Sequence, residues 1–354
     1  MRILDRYLGK AIISGVLSVL VVLLILDTLV GFAGQSHVIG QADYTMWHAL
    51  AYVLLRMPQQ LYELFPMIAL LGTMLGLGGL ANSSELIVIR AAGVSMWQFI
   101  LSISKTAFLI MLLAIFMGEV LAPPSMQYAK LQRVKALSRQ IALNTDYGLW
   151  VRDGDSFVNV RRVETDGSLT GVTIYTFNEI NELTSLTRAA KANYDGENWF
   201  LSKVKKTSFG KHDVAIIKNT KKKWTTLLSP NLVNVVSVSP ENLSIWKLSS
   251  YIDYLEENGL DSSMYELSFW TKVFMPITIG TMILIAIPFI MGSMRHSGVG
   301  QRILIGFLGG LTFYLVNRLS GQMGIVYGLP AILSAGLPTV LVLFWSMYSL
   351  KQLK

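Results

Sequence analysis

The segment Ser83-Ser84-Glu85-Leu86-Ile87-Val88-Ile89-Arg90-Ala91-Ala92-Gly93 lies between two long apolar stretches and carries hydroxyls, one acid, one base and a closing glycine. Ser83 or Ser84 can cap a short helix there, and Glu85 in the first turn suits the positive end of the helix dipole. Leu86 and Ile89-Arg90 recur at turn spacing before Gly93 stops the helix. Apolar side chains with one charge of each sign suit docking to another protein, not bond-making; a tight loop on lipid headgroups would use the same residues. Asp27 sits inside an apolar run, where an acid is costly enough to imply a partner or a role. Arg318 and Lys272, each in another apolar run, are its candidate partners, and both a structural contact and a part in gating are open to the Asp27–Arg318 pair. Lys130 and Arg133 stand one helical turn apart and so share a face, with Arg139 further along.

Covalent chemistry lacks its parts. His37, His48, His212 and His296 are scattered, with no second ligand at zinc spacing. The chain contains neither G-x-S-x-G nor H-E-x-x-H, and no G-x-x-x-x-G-K-[ST] phosphate loop. No catalytic residue, metal or cofactor is therefore expected. If the protein works against a gradient, its energy must come from ions or from a partner subunit.

The elements that position these residues are dictated by hydropathy. The 354 residues are 52% apolar with mean hydropathy +0.49. Only 15% are charged, where about 25% is usual for soluble domains. Three apolar segments fall within residues 11–122 and three within 269–350, several reaching the roughly 20 residues that cross a bilayer. Residues 123–268 between them are mostly polar and numerous enough to fold separately. The expectation is a membrane α-helical protein of six transmembrane helices with an inserted domain, divided as 1–122, 123–268 and 269–354.

The net charge of +8 does not indicate nucleic acid, because outside 123–268 there are 12 Lys/Arg against 6 Asp/Glu, largely at helix ends. Arg2, Arg6, Lys10, Arg295, Arg302, Lys351 and Lys354 mark one side, whereas the short loops 35–47 and 322–329 carry neither Lys nor Arg. By the positive-inside rule both termini are cytoplasmic and the inserted domain lies outside. The absence of cysteine leaves that domain to be stabilised by its own core.

Along the chain, residues 45–57 read as an amphipathic interfacial helix broken at Pro58, and span three as ending at Pro123-Pro124. Gly72, Gly76 and Gly79 supply small residues at helical spacing, for packing within the chain or against another. Residues 125–142 are helical in pattern and carry Lys130, Arg133 and Arg139. Glu119 is expected to face interfacial water. From Tyr147 the period becomes two: Leu149–Val151, Phe157–Val160, Val172–Phe177, Trp199–Leu201 and Val214–Ile217 are separated by Gly, Asp and Asn, as in an antiparallel sandwich or jelly roll. Residues 244–258 return to helix, with Ser244 as N-cap.

Ser84–Gly93 resembles the coupling-helix segment of the permeases of the lipopolysaccharide-export ABC transporter, the LptF/LptG family. Leu4-Asp5-Arg6-Tyr7-Leu8-Gly9-Lys10, Phe65-Pro66-Met67, Gly148-Leu149-Trp150-Val151-Arg152-Asp153-Gly154 and Ile174-Tyr175-Thr176-Phe177-Asn178 are similar to its LptG branch, in order along the whole chain. The resemblance implies a non-catalytic inner-membrane permease with an all-β jelly-roll-like periplasmic domain, extracting lipopolysaccharide from the outer leaflet. The partners it implies are LptF as heterodimer, a dimer of the ATPase LptB, LptC beside the first span, and the LptA bridge reached through LptC. Glu85 falls on the family's acidic coupling residue, with Leu86, Ile89 and Arg90 around it. Lys130 and Arg133 match its basic pair, lysine replacing one arginine, and with Arg139 would hold lipid phosphates through charge-assisted hydrogen bonds; a solvated basic face is the alternative. Groups on LptF or LptC join the candidate partners of Asp27. Where family members carry lysines near the outer end of span one, residues 31–38 here have only His37. The rival readings are an LptF-type permease, which the N-terminal segment disfavours, and a membrane enzyme acting on a periplasmic lipid.

Overall fold

A computed structural model describes the chain apart from residues 1, 42, 142–148, 154–155, 164–167, 179, 181, 196–197, 210–213, 225–238, 292–297 and 353–354. The helices are α1 (Arg2–Ala33), α2 (Met46–Asn82), α3 (Glu85–Ala91), α4 (Met96–Phe116), α5 (Ala122–Ile141), α6 (Ile245–Glu257), α7 (Ser263–Met291), α8 (Val299–Tyr327) and α9 (Ala331–Gln352). Among the described residues six helical stretches are long and apolar enough to cross a membrane: Ile3–Ala33, Met46–Asn82, Met96–Arg133, Ser263–Met291, Gly300–Tyr327 and Ala331–Gln352. Two compact units result. One comprises Met1–Ala136, Pro240–Ser249 and Ser262–Lys354, the other Leu137–Ser239 and Ser250–Asp261.

In the first unit the buried residues Leu8, Ile12 and Val16 of α1 pack with Phe65, Ile68 and Met74 of α2 and Ile279, Ile283 and Ile287 of α7. Between helices in lipid there is little hydrophobic drive, so close van der Waals contact has to hold them. The small residues of α2 provide that contact. A Cβ on Gly72 would lie 2.4 Å from the Cα of Val16, and one on Gly76 would lie 2.2 Å from the carbonyl oxygen of Ala11. Gly15 answers from α1, where a Cβ would meet the carbonyl of Gly72 at 2.1 Å. Gly72 and Gly76 thus serve packing within the chain, whereas a Cβ on Gly79 would meet open space.

Two breaks expected from proline do not occur. α2 runs unbroken through Pro58 and Pro66, so the interfacial segment and span two form one helix of 37 residues. A proline removes one hydrogen bond, a loss that neighbouring helices can accommodate in a bundle. Span three likewise continues past Pro123-Pro124 through a π-helical turn, Met117–Leu121, into α5. There the amide of Ala122 donates to the carbonyl of Met117, and Pro123 has no N–H to offer the next carbonyl, that of Gly118. α4 itself starts from a capping box, in which Ser95 Oγ accepts from the amide of Gln98 while Gln98 Oε1 accepts from that of Ser95.

The second unit holds β1 (Leu149–Asp153), β2 (Ser156–Val163), β3 (Leu169–Phe177), β4 (Leu183–Tyr194), β5 (Trp199–Phe209) and β6 (Val214–Trp224). They form one antiparallel sheet in sequence order, with Val158 opposite both Val151 and Ile174. Period-two alternation buries Val158 and Val160 of β2 together with their cross-strand partners Ile174 and Val172 of β3 on one face. β4 is absent from the sequence expectation. Its Leu-Thr-Arg-Ala-Ala-Lys-Ala stretch is poor in β-branched and aromatic residues, and ladders to β3 and β5 on both sides impose extended structure on it.

Tyr254 in this unit is buried, and burial together with the charge of Asp153 pushes its phenol up to about 12. Because the folded form keeps a proton that an unfolded tyrosine releases near pH 10, the domain should lose stability as pH rises between about 10 and 12. Thermal unfolding of Tyr254→Phe should be less sensitive to pH across that window than unfolding of the parent.

Candidate functional site

At the end of the bundle where α2 stops, Ser84 takes a left-handed conformation (φ 60°) and α3 begins, without a side-chain cap from Ser84. Ser83 Oγ instead donates to Glu85 Oε1 at 2.8 Å. The hydroxyl of Tyr7, from α1, donates to the other carboxylate oxygen. The Tyr7 hydroxyl foremost, with Ser83, holds the Glu85 carboxyl below its ordinary value, so it stays ionised at neutral pH. Leu86 is buried in the bundle core and Ile89 packs against that core. Those two therefore anchor α3, while Ile87, Val88, Arg90 and Ala91 are its exposed side chains. Sequence spacing singled out Leu86 and Ile89; the exposed apolar pair lies on the other face of the same helix.

Arg302 is a second feature of this end that sequence reasoning counted only as a loop charge. It is 1% exposed and donates to the carbonyl of Gly78 and, at 2.9 Å, to Asn82 Oδ1. A cation on the last carbonyls of α2 is favoured by the helix dipole. Gly78 leaves it room, since a Cβ there would lie 2.9 Å from the guanidinium. The start of α8 is thereby tied to the turn that leads into α3.

Towards the other end of α2, helices α2, α7, α8 and α9 enclose a cavity of about 430 Å³. Its lining mixes Arg56, Glu63, Lys272 and Arg318 with Met67, Phe274 and Phe313, and the short 3₁₀ turn Pro240–Asn242 adds Glu241 and Asn242. Charges of both signs thus face one space between helices, where ionisable residues mark pathways and binding sites more often than they serve packing. Among the described residues no group of His, Asp and Glu is arranged to hold a metal ion.

The intramembrane acid is partnered differently from expectation. Asp27 Oδ1 accepts from Gln60 Nε2 at 3.2 Å, not from Arg318 or Lys272. Arg318 donates to the Tyr314 hydroxyl at 3.0 Å, one turn away on its own helix. Lys272 pairs with Glu119 at 2.8 Å and donates to the carbonyl of Gly118 at 3.2 Å. Glu119 is therefore not turned to water: a buried ammonium claims it, because Lys272 would otherwise stand unpaired between helices.

Lys130 and Arg133 lie in the last turns of the third span and take different neighbours. Lys130, partly buried, is within electrostatic reach of Glu241. Arg133 sets its guanidinium 5.0 Å over the ring of Tyr52, and its Nε is buried without a hydrogen-bond partner. The side chain of Arg139 lies outside the described residues.

These features sit in a chain whose likeness to known proteins extends over nearly its whole length. Residues 6–352 match the family model described as lipopolysaccharide export system permease LptF/LptG. The Lipopolysaccharide export system permease protein LptG of Haemophilus influenzae is 38% identical over 353 residues, 99% of each chain. Its namesake in Escherichia coli is 37% identical over 99% of this chain and 98% of its own. Six apolar helices, a β domain between the third and fourth, and this likeness agree: the chain belongs to the LptF/LptG family of lipopolysaccharide export permeases.

Proposed function

We propose that the chain is the LptG-type permease subunit that draws lipopolysaccharide out of the outer leaflet of the inner membrane. The observation that carries this reading is the end-to-end likeness to two proteins both named LptG, which also disfavours the LptF alternative. The cavity supports a composite path. At about 430 Å³ it is in the range of small-ligand clefts, too small for a lipid with several acyl chains, so a second permease of LptF type must supply the remaining walls. Both termini are assigned to the cytoplasm and the β domain to the periplasm, on the basic residues at one set of helix ends. In this reading 1–122 and 269–354 form the two membrane halves and 123–268 the periplasmic part. That part is jelly-roll-like: the meander β1–β6 supplies one sheet.

No catalysis is assigned to this chain; ATP hydrolysis belongs to an LptB dimer seated on α3 and its LptF counterpart. Glu85, Arg90, Ile87 and Val88 make the contact, and Leu86 and Ile89 carry its movement into the bundle core. LptC sits beside α1, whose Val21, Ile25 and Leu29 are exposed, and passes lipid to LptA. Asp27 and Arg318, each hydrogen-bonded to a residue lining the cavity, are the gating candidates.

Lys130 and Arg133, with Arg139, hold the phosphorylated sugars, and the unpartnered Nε of Arg133 supports an anion there. Replacing Lys130 and Arg133 together by alanine should cut photocrosslinking to lipopolysaccharide by about tenfold or more, as expected for charge-assisted phosphate contacts. Intact crosslinking would remove the pair from the lipid path. Purification in mild detergent tests the class itself: a phosphate-loop ATPase and a second six-span chain should accompany this one.

A further inference from the structure

Glu119 is an acid at the edge of the membrane bundle that does not itself line the cavity, yet it joins two elements that do. One carboxylate oxygen accepts from Lys272 Nζ at 2.8 Å, and Lys272 lines the cavity with its ammonium 5.3 Å from the ring of Tyr62, another lining residue. The other oxygen accepts from the backbone amide of Ile245 at 2.7 Å. Ile245 is the first residue of α6, so Glu119 takes one of the amides that a helix start leaves without a partner. A carboxylate at that place also suits the dipole.

The strap that Glu119 fastens is Pro240–Ser249. Pro240, Asn242, Leu243 and Leu248 are buried in the membrane unit, and Glu241 and Asn242 form part of the cavity wall. A further fastening is Gln59 Nε2, which donates to the carbonyl of Glu241 at 3.3 Å. The site that holds Glu119 follows from the sequence around it. Pro123 has no N–H to offer the Gly118 carbonyl in the π turn, and Lys272 donates to that carbonyl instead at 3.2 Å. Gly118 itself is required, because a Cβ there would lie 2.3 Å from the ring of Tyr62. Proline pair, π turn, glycine and lysine thus converge on one carboxylate; π turns recur at functional positions.

We infer that Glu119 is a positioning residue that clamps the strap Pro240–Ser249 against the bundle and so fixes the wall of the transport cavity. The inference rests on the transport reading above for its consequence, but not for its geometry. With the clamp released, the strap leaves the cavity wall and lipid loses part of its path, while the α3 end of the bundle is untouched.

The chain has no cysteine, so one placed at buried Leu243 is its single thiol, and labelling read on this chain's own band reports on the strap. In the purified full transporter, Leu243→Cys should resist a polar maleimide. Adding Glu119→Gln, or Ile245→Pro, should speed labelling by about tenfold, the loss expected for a hydrogen bond to a charged acceptor. Proline is tolerated at the first helical position and takes away the amide proton that Glu119 accepts, so Ile245→Pro breaks that bond and leaves the ion pair in place. Lys272→Met, which keeps the bond from Ile245 to Glu119, should leave the cysteine protected.

Lipopolysaccharide crosslinking from a photoreactive residue at Phe313 should fall in the two strap-releasing variants with ATPase activity retained; a merely structural role would lower both. Should Glu119→Gln fail to accumulate, Ile245→Pro decides. The inference is overturned if labelling is unchanged in Ile245→Pro, if Leu243→Cys already labels in the parent, or if labelling rises while crosslinking does not move. Absence of lipid crosslinks in the parent, with strap labelling as expected, would overturn the transport reading instead.

Discussion

Glu85→Lys should abolish coupling between lipid extraction and ATP hydrolysis. The carboxylate is the one acid on α3, and it is held ionised by hydroxyl donors from Tyr7 and Ser83. Reversing its sign removes both bonds, places a cation at the positive end of α3, and presents a like charge to whatever base the ATPase offers. Removing one member of a hydrogen-bonded charge pair at an interface costs about 2 kcal/mol or more, on the order of a 30-fold loss of affinity. Co-purification with the ATPase and coupled hydrolysis should therefore both fall to background. Tyr7→Phe removes one donor and keeps the charge, so its loss should be several-fold smaller. Equal effects of the two changes would mean that Glu85 serves only to hold α3 against α1. Val88→Asp tests the exposed apolar face independently and should also weaken co-purification, whereas unchanged binding would leave that face to lipid.

Gly72→Leu should prevent accumulation of the folded chain altogether. The helices α1 and α2 cross where Gly72, Gly76 and Gly15 let backbone meet backbone, and a Cβ on Gly72 would lie within 2.6 Å of both the amide nitrogen and a side-chain carbon of Val16. Backbone atoms cannot give way as a flexible side-chain end can, so the cost exceeds the usual overpacking penalty of about 3 kcal/mol. Gly79→Leu, on the same helix with open space at its Cβ position, is the matched control and should accumulate normally. Membrane-fraction yield and melting temperature in detergent measure the difference. If Gly72→Leu accumulates and melts like the parent, the crossing is not where the structure places it.

Much of the architecture was legible beforehand because it depends on one-dimensional properties. Length and hydropathy set the six spans, period-two alternation marked five of the six strands, and a capped stretch between spans marked α3. The errors have a common origin. Pro58 and Pro123-Pro124 break helices in water, but in a bundle the freed carbonyls find other donors, as Gly118 finds Lys272. β4 lacks strand propensity and is extended because both neighbours pair with it. Asp27 was matched to cations on charge alone, whereas the side chain within reach is the amide of Gln60.

The site divides in the same way. The docking role of Glu85 and the phosphate role of Lys130 and Arg133 came from the family resemblance; types and spacing alone gave a short helix with Glu85 in its first turn, a shared face for Lys130 and Arg133, and the lack of any phosphate loop that would let the chain power itself. The latter readings need only local periodicity and the chemistry of each side chain. Only the tertiary structure decided that Leu86 points inward while Ile87 and Val88 point out, that Arg302 is buried on the end of α2, and that Glu119 serves Lys272 and the first amide of α6 together. These pairings join residues more than a hundred positions apart. Their partners are chosen by which buried donor and acceptor the packing brings within about 3 Å, a distance condition that no linear pattern encodes.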